Sequence, residues 1–352
     1  MGYGRYIAVR AVNAFVVLLI ALLIASTAFN ALHEKQLWSE IYEAAQNRVR
    51  EILKTGPPPN KTTEELYWEI VSELSARYGL NQPLVVRILN ATWNTLILNL
   101  GEARLSYPQF GHTRDVRTVI LNAMARTALL FTTAQVIVIA VGLFLGLQAA
   151  RRVGGILDRF ISFIAMLSAS MPMFWLAMVM IWIFHYVLDL FPPVAWEYIP
   201  GEIKANPLSL FAWYVHHMTI PLMTIIIVGF GGIAWITRNI AIGTLQEDFI
   251  YTARAKGVPE NKVIYGHLLR AISPPVTTMS ALSIVASLFG AIISEQVFQW
   301  PGMGRLYYTA LYNGDTKIVI ADTFMFVLLF VIVKFILDAT YGILDPRIKA
   351  SK

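Results

Sequence analysis

One polar interval, 246–275, lies between long apolar stretches and combines charged residues with conformationally special ones. It holds Glu247, Asp248, Thr252, Ala253, Arg254, Ala255, Lys256, Gly257, Pro259, Glu260, His267 and Pro274. Their spacing suits electrostatics and shape more than bond making. Glu247 and Asp248 match the positive end of a helix dipole, and Arg254 and Lys256 its negative end. Gly257 stands where a helix commonly ends on a left-handed residue, which glycine adopts cheaply. Pro259 fits the first turn of a following helix, with Glu260 close behind. Val263, Ile264, Leu268, Ala271 and Ile272 form an apolar stripe on that second helix, and Pro274 and Pro275 are expected to close it. The interval therefore predicts two short helices meeting at a glycine bend, an exposed and partly apolar knob with a positive edge. Such a knob suits a groove on a soluble partner; a helix resting on lipid headgroups is the other reading the pattern allows.

Motifs for covalent chemistry are missing. The sequence has no Gly-x-x-x-x-Gly-Lys-Ser/Thr loop to cradle phosphates, no metalloprotease helix, no serine nucleophile elbow and no histidines at ligand spacing. With no cysteine, disulfides and thiolate metal sites are excluded. An enzyme is not expected, and no cofactor is implied. Other ionisable residues stand in apolar stretches. Lys334 and Asp338 are four apart and can neutralise each other on one helix face, a reading preferred to a role in a transport path. Glu295, at the outer end of an apolar stretch, is expected either to face a cavity or to pair with a partner. Pro172, after Ser168-Ala-Ser-Met171, is expected to kink its helix toward a path, with the small residues allowing close helix approach. His185 reads as interfacial, and Trp175, Trp182, Trp196 and Trp213 as interface anchors.

The elements that position these residues are transmembrane helices. Of 352 residues, 57% are hydrophobic and 14% charged, against about 25% charged in a soluble domain. Stretches at 7–29, 127–149, 160–188, 217–237, 276–294 and 323–343 each reach the roughly 20 apolar residues that a bilayer requires. The fold expected is an all-α membrane protein of about six transmembrane helices. The net charge of +6 fits loops facing anionic lipid and a cytosolic partner better than nucleic acid. With the N-terminus inside, thirteen basic residues fall in cytoplasmic pieces, and only Lys204, Arg305 and Lys317 in the two short outer loops. Both termini are therefore expected in the cytosol. A cleaved signal peptide at the start is disfavoured, because its apolar stretch exceeds the usual length.

Four divisions follow: a first transmembrane helix over 1–29, an extracytoplasmic helical module over 30–126, a transmembrane domain over 127–345 that carries the 246–275 loop, and a cytoplasmic tail over 346–352. Within the module, Ile41, Ala44, Ala45, Val49, Ile52 and Leu53 recur at helical spacing, as do Leu66, Ile70, Val71 and Leu74, with a Gly/Pro-rich loop between them. Asn60-Lys-Thr62 and Asn90-Ala-Thr92 match the short glycosylation pattern.

Thr252-Ala-Arg-Ala-Lys-Gly257 with His267-Leu-Leu-Arg-Ala-Ile-Ser-Pro274 resembles the coupling loop of binding-protein-dependent ABC importer permeases. The likeness is to the dipeptide/oligopeptide family and its first permease subunit. Glu295-Gln-Val-Phe-Gln-Trp-Pro-Gly-Met-Gly-Arg-Leu306, Leu344-Asp-Pro-Arg-Ile348 and Ala76-Arg-Tyr-Gly-Leu-Asn-Gln-Pro83 are similar to further segments of that family. The family's Glu-Ala-Ala is here Tyr251-Thr-Ala253, Lys334 replaces a usually uncharged polar residue, and 32–75 carries no family motif. The resemblance implies four kinds of partner: a second homologous permease, two cytosolic ATP-binding subunits, an extracytoplasmic substrate-binding protein, and membrane lipid. It implies that Glu247, Asp248, Thr252, Ala253, Ala255, Gly257, His267 and Pro274 couple to the ATPases. Peptides are the implied cargo, with oligosaccharides second and nickel complexes third. An ion-driven secondary transporter is the competing class; it is disfavoured by the lack of an internal repeat.

Overall fold

A computed structural model describes residues 3–55, 61–196, 199–287 and 290–344. In chain order its elements are α1 (Tyr3–Thr55), α2 (Thr63–Arg77), α3 (Leu84–Leu96), β1 (Glu102–Tyr107), β2 (Thr113–Asp115), α4 (Val116–Thr127), α5 (Thr133–Ala150), α6 (Ile156–Ser170), α7 (Met173–Ile181), α8 (Gly201–Ala205), α9 (Pro207–Leu245), α10 (Asp248–Ala255), α11 (Glu260–Lys262), α12 (Leu269–Ser287), α13 (Ile292–Val297), α14 (Met303–Tyr312) and α15 (Thr316–Leu344). The chain forms two compact units, 1–120 with 307–352, and 121–306.

In the first unit, α1 is one uninterrupted helix of 53 residues, about 80 Å long at 1.5 Å per residue. From Arg5 to Thr55 it contains neither glycine nor proline, so nothing in the chain stops it. The change at residue 30 from apolar to charged sequence does not end the helix. The two apolar repeats expected at helical spacing are both helical, and they pack on each other. Ile41, Ala45 and Val49 of α1 pack with Leu66, Ile70 and Val71 of α2 and with Leu80. A reciprocal capping box opens α2: Thr62 N–H donates to Glu65 Oε2 at 2.8 Å, and Glu65 N–H to Thr62 Oγ1 at 3.3 Å. Near the other end of α1, Leu18 and Leu22 pack on Phe324 of α15.

This unit also holds an antiparallel hairpin, β1 with β2, which the helical expectation for 30–126 lacked. The buried Asp315 carboxylate fixes it by accepting from Arg104 N–H (2.8 Å), Leu105 N–H (3.3 Å) and the Tyr107 hydroxyl (3.1 Å). Burial first, and the Asp315 charge second, push the Tyr107 hydroxyl far above its ordinary pKa, so it remains a donor.

The second unit is built on helices in very close approach. Gly142 and Gly146 of α5 lie against α9: a Cβ on Gly146 would come within 2.6 Å of the Ala234 carbonyl, and one on Gly142 within 2.6 Å of Ile233 Cβ. Small residues four apart let helix backbones touch, the standard device where lipid removes the hydrophobic drive for association. Gly231 of α9 approaches the Ala165 carbonyl of α6 in the same way.

Among the described residues four helices are long and apolar enough to cross a membrane: Gly4–Ala31, Val116–Ala150, Pro207–Leu245 and Thr316–Ile336. A fifth crossing results if α6 and the segment Met173–Val187 count as one broken span. The expected third span is thus bent by 97°, because Met171, which precedes Pro172, is forced into extended backbone (φ −80°, ψ 127°). Of the stretch expected as a fifth span, 276–294, the part to Ser287 belongs to α12, residues 288 and 289 lie outside the described residues, Gly290 is left-handed at φ +64°, and α13 begins at Ile292.

Candidate functional site

The 246–275 interval folds locally by the signals its sequence carries, with one exception. Glu247 is the N-cap of α10, in extended backbone (φ −73°, ψ 145°). At the other end, Gly257 takes φ +73°. Its N–H donates to the Arg254 carbonyl at 3.0 Å, and Val258 N–H donates to the Ala253 carbonyl at 3.2 Å. This pair of bonds is the Schellman closure of a helix. Val258 then packs against the buried cluster that contains Ala253.

Pro259 is the N-cap of α11, one position before the first turn in which it was expected. From there the chain is helical without a break to Ser287 through a π turn at Val263–Leu268. The second helix of the knob is therefore not short, and Pro274 and Pro275 do not close it. They lie inside α12. Proline at 274 removes the donor that would serve the Arg270 carbonyl, and the Ser273 hydroxyl supplies one instead at 2.8 Å.

One side of the interval is anchored and the other is open. Ile250, Ala253, Val263, Ile264, Leu268 and Ile272 are buried together with Leu147 and Ala150 of α5 and Ala241 of α9. Polar ties reinforce this: Arg151 Nη2 donates to Asn261 Oδ1 (2.6 Å), and Gln148 Nε2 to the Tyr265 hydroxyl (2.7 Å). Across the Gly257 turn, Arg254 grips Glu260 with two bonds, Nη2 to Oε1 at 2.7 Å and Nε to Oε2 at 3.3 Å. That contact holds the Glu260 carboxyl below its ordinary pKa.

Of the residues expected to couple outward, Glu247, Asp248, Thr252, Ala255, Gly257, His267 and Pro274 are exposed. Ala253 is buried at 7% exposure and faces the bundle. Two outward aromatics had been given no coupling role: Tyr251, 77% exposed, and Phe249, 45% exposed. Their signal was present, since both fall off the stripe marked by Ile250 and Ala253.

The sites expected on a translocation path behave differently. Pro172 is exposed at the 97° bend. Glu295 is 0% exposed. Its carboxylate accepts from Thr127 Oγ1 and from Arg305 N–H, each at 2.9 Å, while Met303 N–H donates to Thr127 Oγ1 at 2.8 Å. Gly290 and Gly302 close around it, and a Cβ on Gly302 would stand 2.5 Å from Glu295 Oε2. Glu295 therefore ties α13 to the start of α14, and no part of it lines an open cavity in this structure.

Beside the knob lies a cavity of about 790 Å³, lined by Gln148, Arg151, Arg152, Asp158 and Glu260 among others. Asp158, buried on α6, forms a two-pronged ion pair with Arg238 of α9 (2.5 and 2.8 Å) and accepts from Gly154 N–H at 2.8 Å. Eighty residues separate the partners, so no local pattern announces them.

The tryptophans divide. Trp175 and Trp182 are exposed, as interface anchors should be. Trp213, in contrast, is buried, and Trp196 packs edge-on against both Trp213 and the fully buried Trp300, with the Arg126 guanidinium 4.3 Å from the Trp196 ring. These two belong to a packed aromatic cluster. His185 is half-buried, its Nδ1 2.9 Å from the Phe191 carbonyl. Asn90 is exposed on α3. Asn60, the Asp338 side chain and residues 345–352, with most of the Leu344–Ile348 motif, lie outside the described residues.

The long apolar helices make this an integral membrane protein. Residues 142–350 match the model of the binding-protein-dependent transport system inner membrane component, and the chain belongs to that family. It is 30% identical over 284 residues to the dipeptide transport system permease protein DppB of Bacillus subtilis (strain 168), covering 80% of this chain and 85% of the relative. The oligopeptide transport system permease protein AppB of the same organism is 29% identical, covering 78% and 83%. DppB of Escherichia coli (strain K12) is 29% identical, covering 80% and 86%. The chain is the permease component of a binding-protein-dependent ABC transporter, a multi-pass protein of the cytoplasmic membrane. Its family is a transport subunit and not an ATPase.

Proposed function

We propose that this permease forms, with a second homologous permease, the path by which peptides enter the cell, and that residues 246–275 seat on one of two cytosolic ATPase subunits. Closure of the ATPase pair on ATP pushes the knob, and the knob, fixed to α5, α9 and α12, carries that displacement into the spans as a two-state change. An external binding protein delivers the cargo. The observation that carries this reading is the division of the knob into a buried half and an exposed half. Ile250, Ala253, Val263 and Ile264 are anchored in the bundle, whereas Tyr251, Thr252, Ala255 and His267 point away from it.

The same reading has six crossings with both ends in the cytosol, supported by the distribution of Lys and Arg in the short loops. Residues 276–294 serve as the fifth crossing. Residues 1–29 form the first crossing, 30–126 the extracytoplasmic module, 127–345 the transmembrane domain and 346–352 the cytoplasmic tail. Peptide cargo is supported by the dipeptide and oligopeptide systems to which the relatives belong. The test is uptake of labelled dipeptide, oligopeptide and oligosaccharide by cells carrying the full set of subunits. Peptide uptake that disappears when the ATPase subunits are deleted supports the proposal. Uptake that persists on an ion gradient alone, or that serves only the oligosaccharide, refutes it.

A further inference from the structure

Lys334 of α15 presents a problem that the transport reading leaves untouched. It is exposed, and so are Phe330, Ile332 and Ile336 around it, within or beside a helix apolar enough to cross the membrane. An exposed residue on such a surface meets acyl chains, where an ammonium group is costly unless it reaches a polar or anionic partner. Lys334 does not stand alone. It lines a cavity of about 80 Å³ with Arg10, Asn13, Ala14 and Val17 of α1 and Phe330, Val331 and Phe335 of α15. Two basic side chains and one amide thus meet an apolar wall in a single groove between the first and last spans. The Arg10 guanidinium stacks 5.3 Å from the Tyr6 ring, which places its charge toward the N-terminal end of α1.

We propose that this groove binds one anionic phospholipid, its phosphate between Arg10 and Lys334 and an acyl chain along Ala14, Val17, Phe330 and Val331. Charge complementarity selects the occupant: basic pockets between transmembrane helices on the cytoplasmic side favour acidic headgroups. A zwitterionic lipid offers the same phosphate and chains but cancels the attraction with its own cation. The leaflet is the cytoplasmic one on the orientation proposed above, and the binding itself does not depend on that orientation. The lipid gives the first span, which leads to the outer module, a fixed contact with the last span on the lipid-facing side.

The test uses the full chain purified with its partner subunits from nanodiscs of mixed phosphatidylglycerol and phosphatidylcholine. Native mass spectrometry counts the lipids retained. The unsubstituted protein is expected to retain phosphatidylglycerol in preference to phosphatidylcholine, and photoactivatable phosphatidylglycerol to label α1 and α15. Lys334→Gln is expected to retain about fivefold less, the effect of one basic side chain on an acidic lipid. Lys334→Arg should retain it fully, and Lys54→Gln, which removes a distant positive charge, should change nothing. Equal retention of the two lipids by the unsubstituted protein, as would follow if Asp338 fully neutralised Lys334, overturns the proposal. So does a Lys334→Gln protein that retains phosphatidylglycerol normally, or labelling confined to other helices. Because the readout is bound lipid, its outcome is separable from any result on uptake or ATPase coupling.

Discussion

Arg254 and Glu260 join hands across the left-handed turn at Gly257, with nitrogen–oxygen distances of 2.7 and 3.3 Å. The pair closes the ends of a bend that the backbone already makes by its Schellman bonds. Both side chains are more than two-fifths exposed, so the pair adds little energy, about 0–1 kcal/mol for such surface bridges. Its contribution is geometric: it holds α10 and α11 at one angle, and an element that transmits force must keep its shape.

Gly257 is the residue on which that shape depends. An added Cβ there meets no atom within 4 Å, so any effect of substitution comes from the backbone conformation at φ +73°. A Cβ in left-handed backbone costs roughly 1–2 kcal/mol, with asparagine tolerated best. Gly257→Val is expected to abolish uptake with normal membrane insertion, and Gly257→Asn to retain a substantial part of it. Uptake assays beside quantitation of membrane-inserted protein check this. Equal activity of the two variants would remove the left-handed turn from the account.

The Glu260 carboxyl titrates below its ordinary value of 4.5 because Arg254 bonds its charged form. A depressed folded-state value means that the contribution to stability is complete above the unfolded value and is lost as pH falls through the folded one. Glu260→Gln should therefore lower the thermal midpoint slightly at neutral pH, and the difference from the unsubstituted protein should shrink below about pH 4.5. Thermal denaturation in detergent across that range measures it. A difference that grows on acidification would contradict the assignment.

Gly146 and Gly243 make a matched pair of tests for the bundle. A Cβ on Gly146 would collide with the Ala234 carbonyl at 2.6 Å, whereas one on Gly243 meets nothing within 4 Å. Gly146→Leu is expected to destabilise by at least the 1–3 kcal/mol typical of overpacking, seen as loss of monodisperse protein on size exclusion. Gly243→Ala should be neutral or stabilise by about 0.5–1 kcal/mol, because alanine is the better helix former.

Glu295 offers a test of burial. Its carboxylate accepts from Thr127 Oγ1 and Arg305 N–H in a site with no exposure. Removing it leaves buried donors unserved, at about 1–3 kcal/mol each. Glu295→Ala is expected to reduce the yield of folded protein. A variant that folds normally but fails only in uptake would return Glu295 to the path.

The knob was legible because its signals are local. A capping position, a glycine past the helix end and a proline at the start of the next helix act within a few residues of one another. Pro274 and Pro275 misled, since the Ser273 hydroxyl replaces one of the lost donors and the helix continues through them. The hairpin at 102–115 could not be read from its own residues: the carboxylate that fixes Tyr107 is 208 positions away. Asp158 and Arg238 are hidden for the same reason. Gly142-Leu-Phe-Leu-Gly146 was a visible signal left unread; its spacing announces a close helix contact. Composition changes at residue 30 without any break in the backbone, since α1 runs on to Thr55.

The most direct measurement of the central claim uses the absence of native cysteine. Tyr251→Cys places one thiol on the exposed side of α10, and Ala253→Cys places one on its buried side. With the full transporter assembled, a short bifunctional reagent should join the Tyr251→Cys protein to an ATP-binding subunit, with a yield that changes on adding ATP, while Ala253→Cys gives no such product. An ATPase that never crosslinks at 251, or that crosslinks equally from 253, would contradict the account.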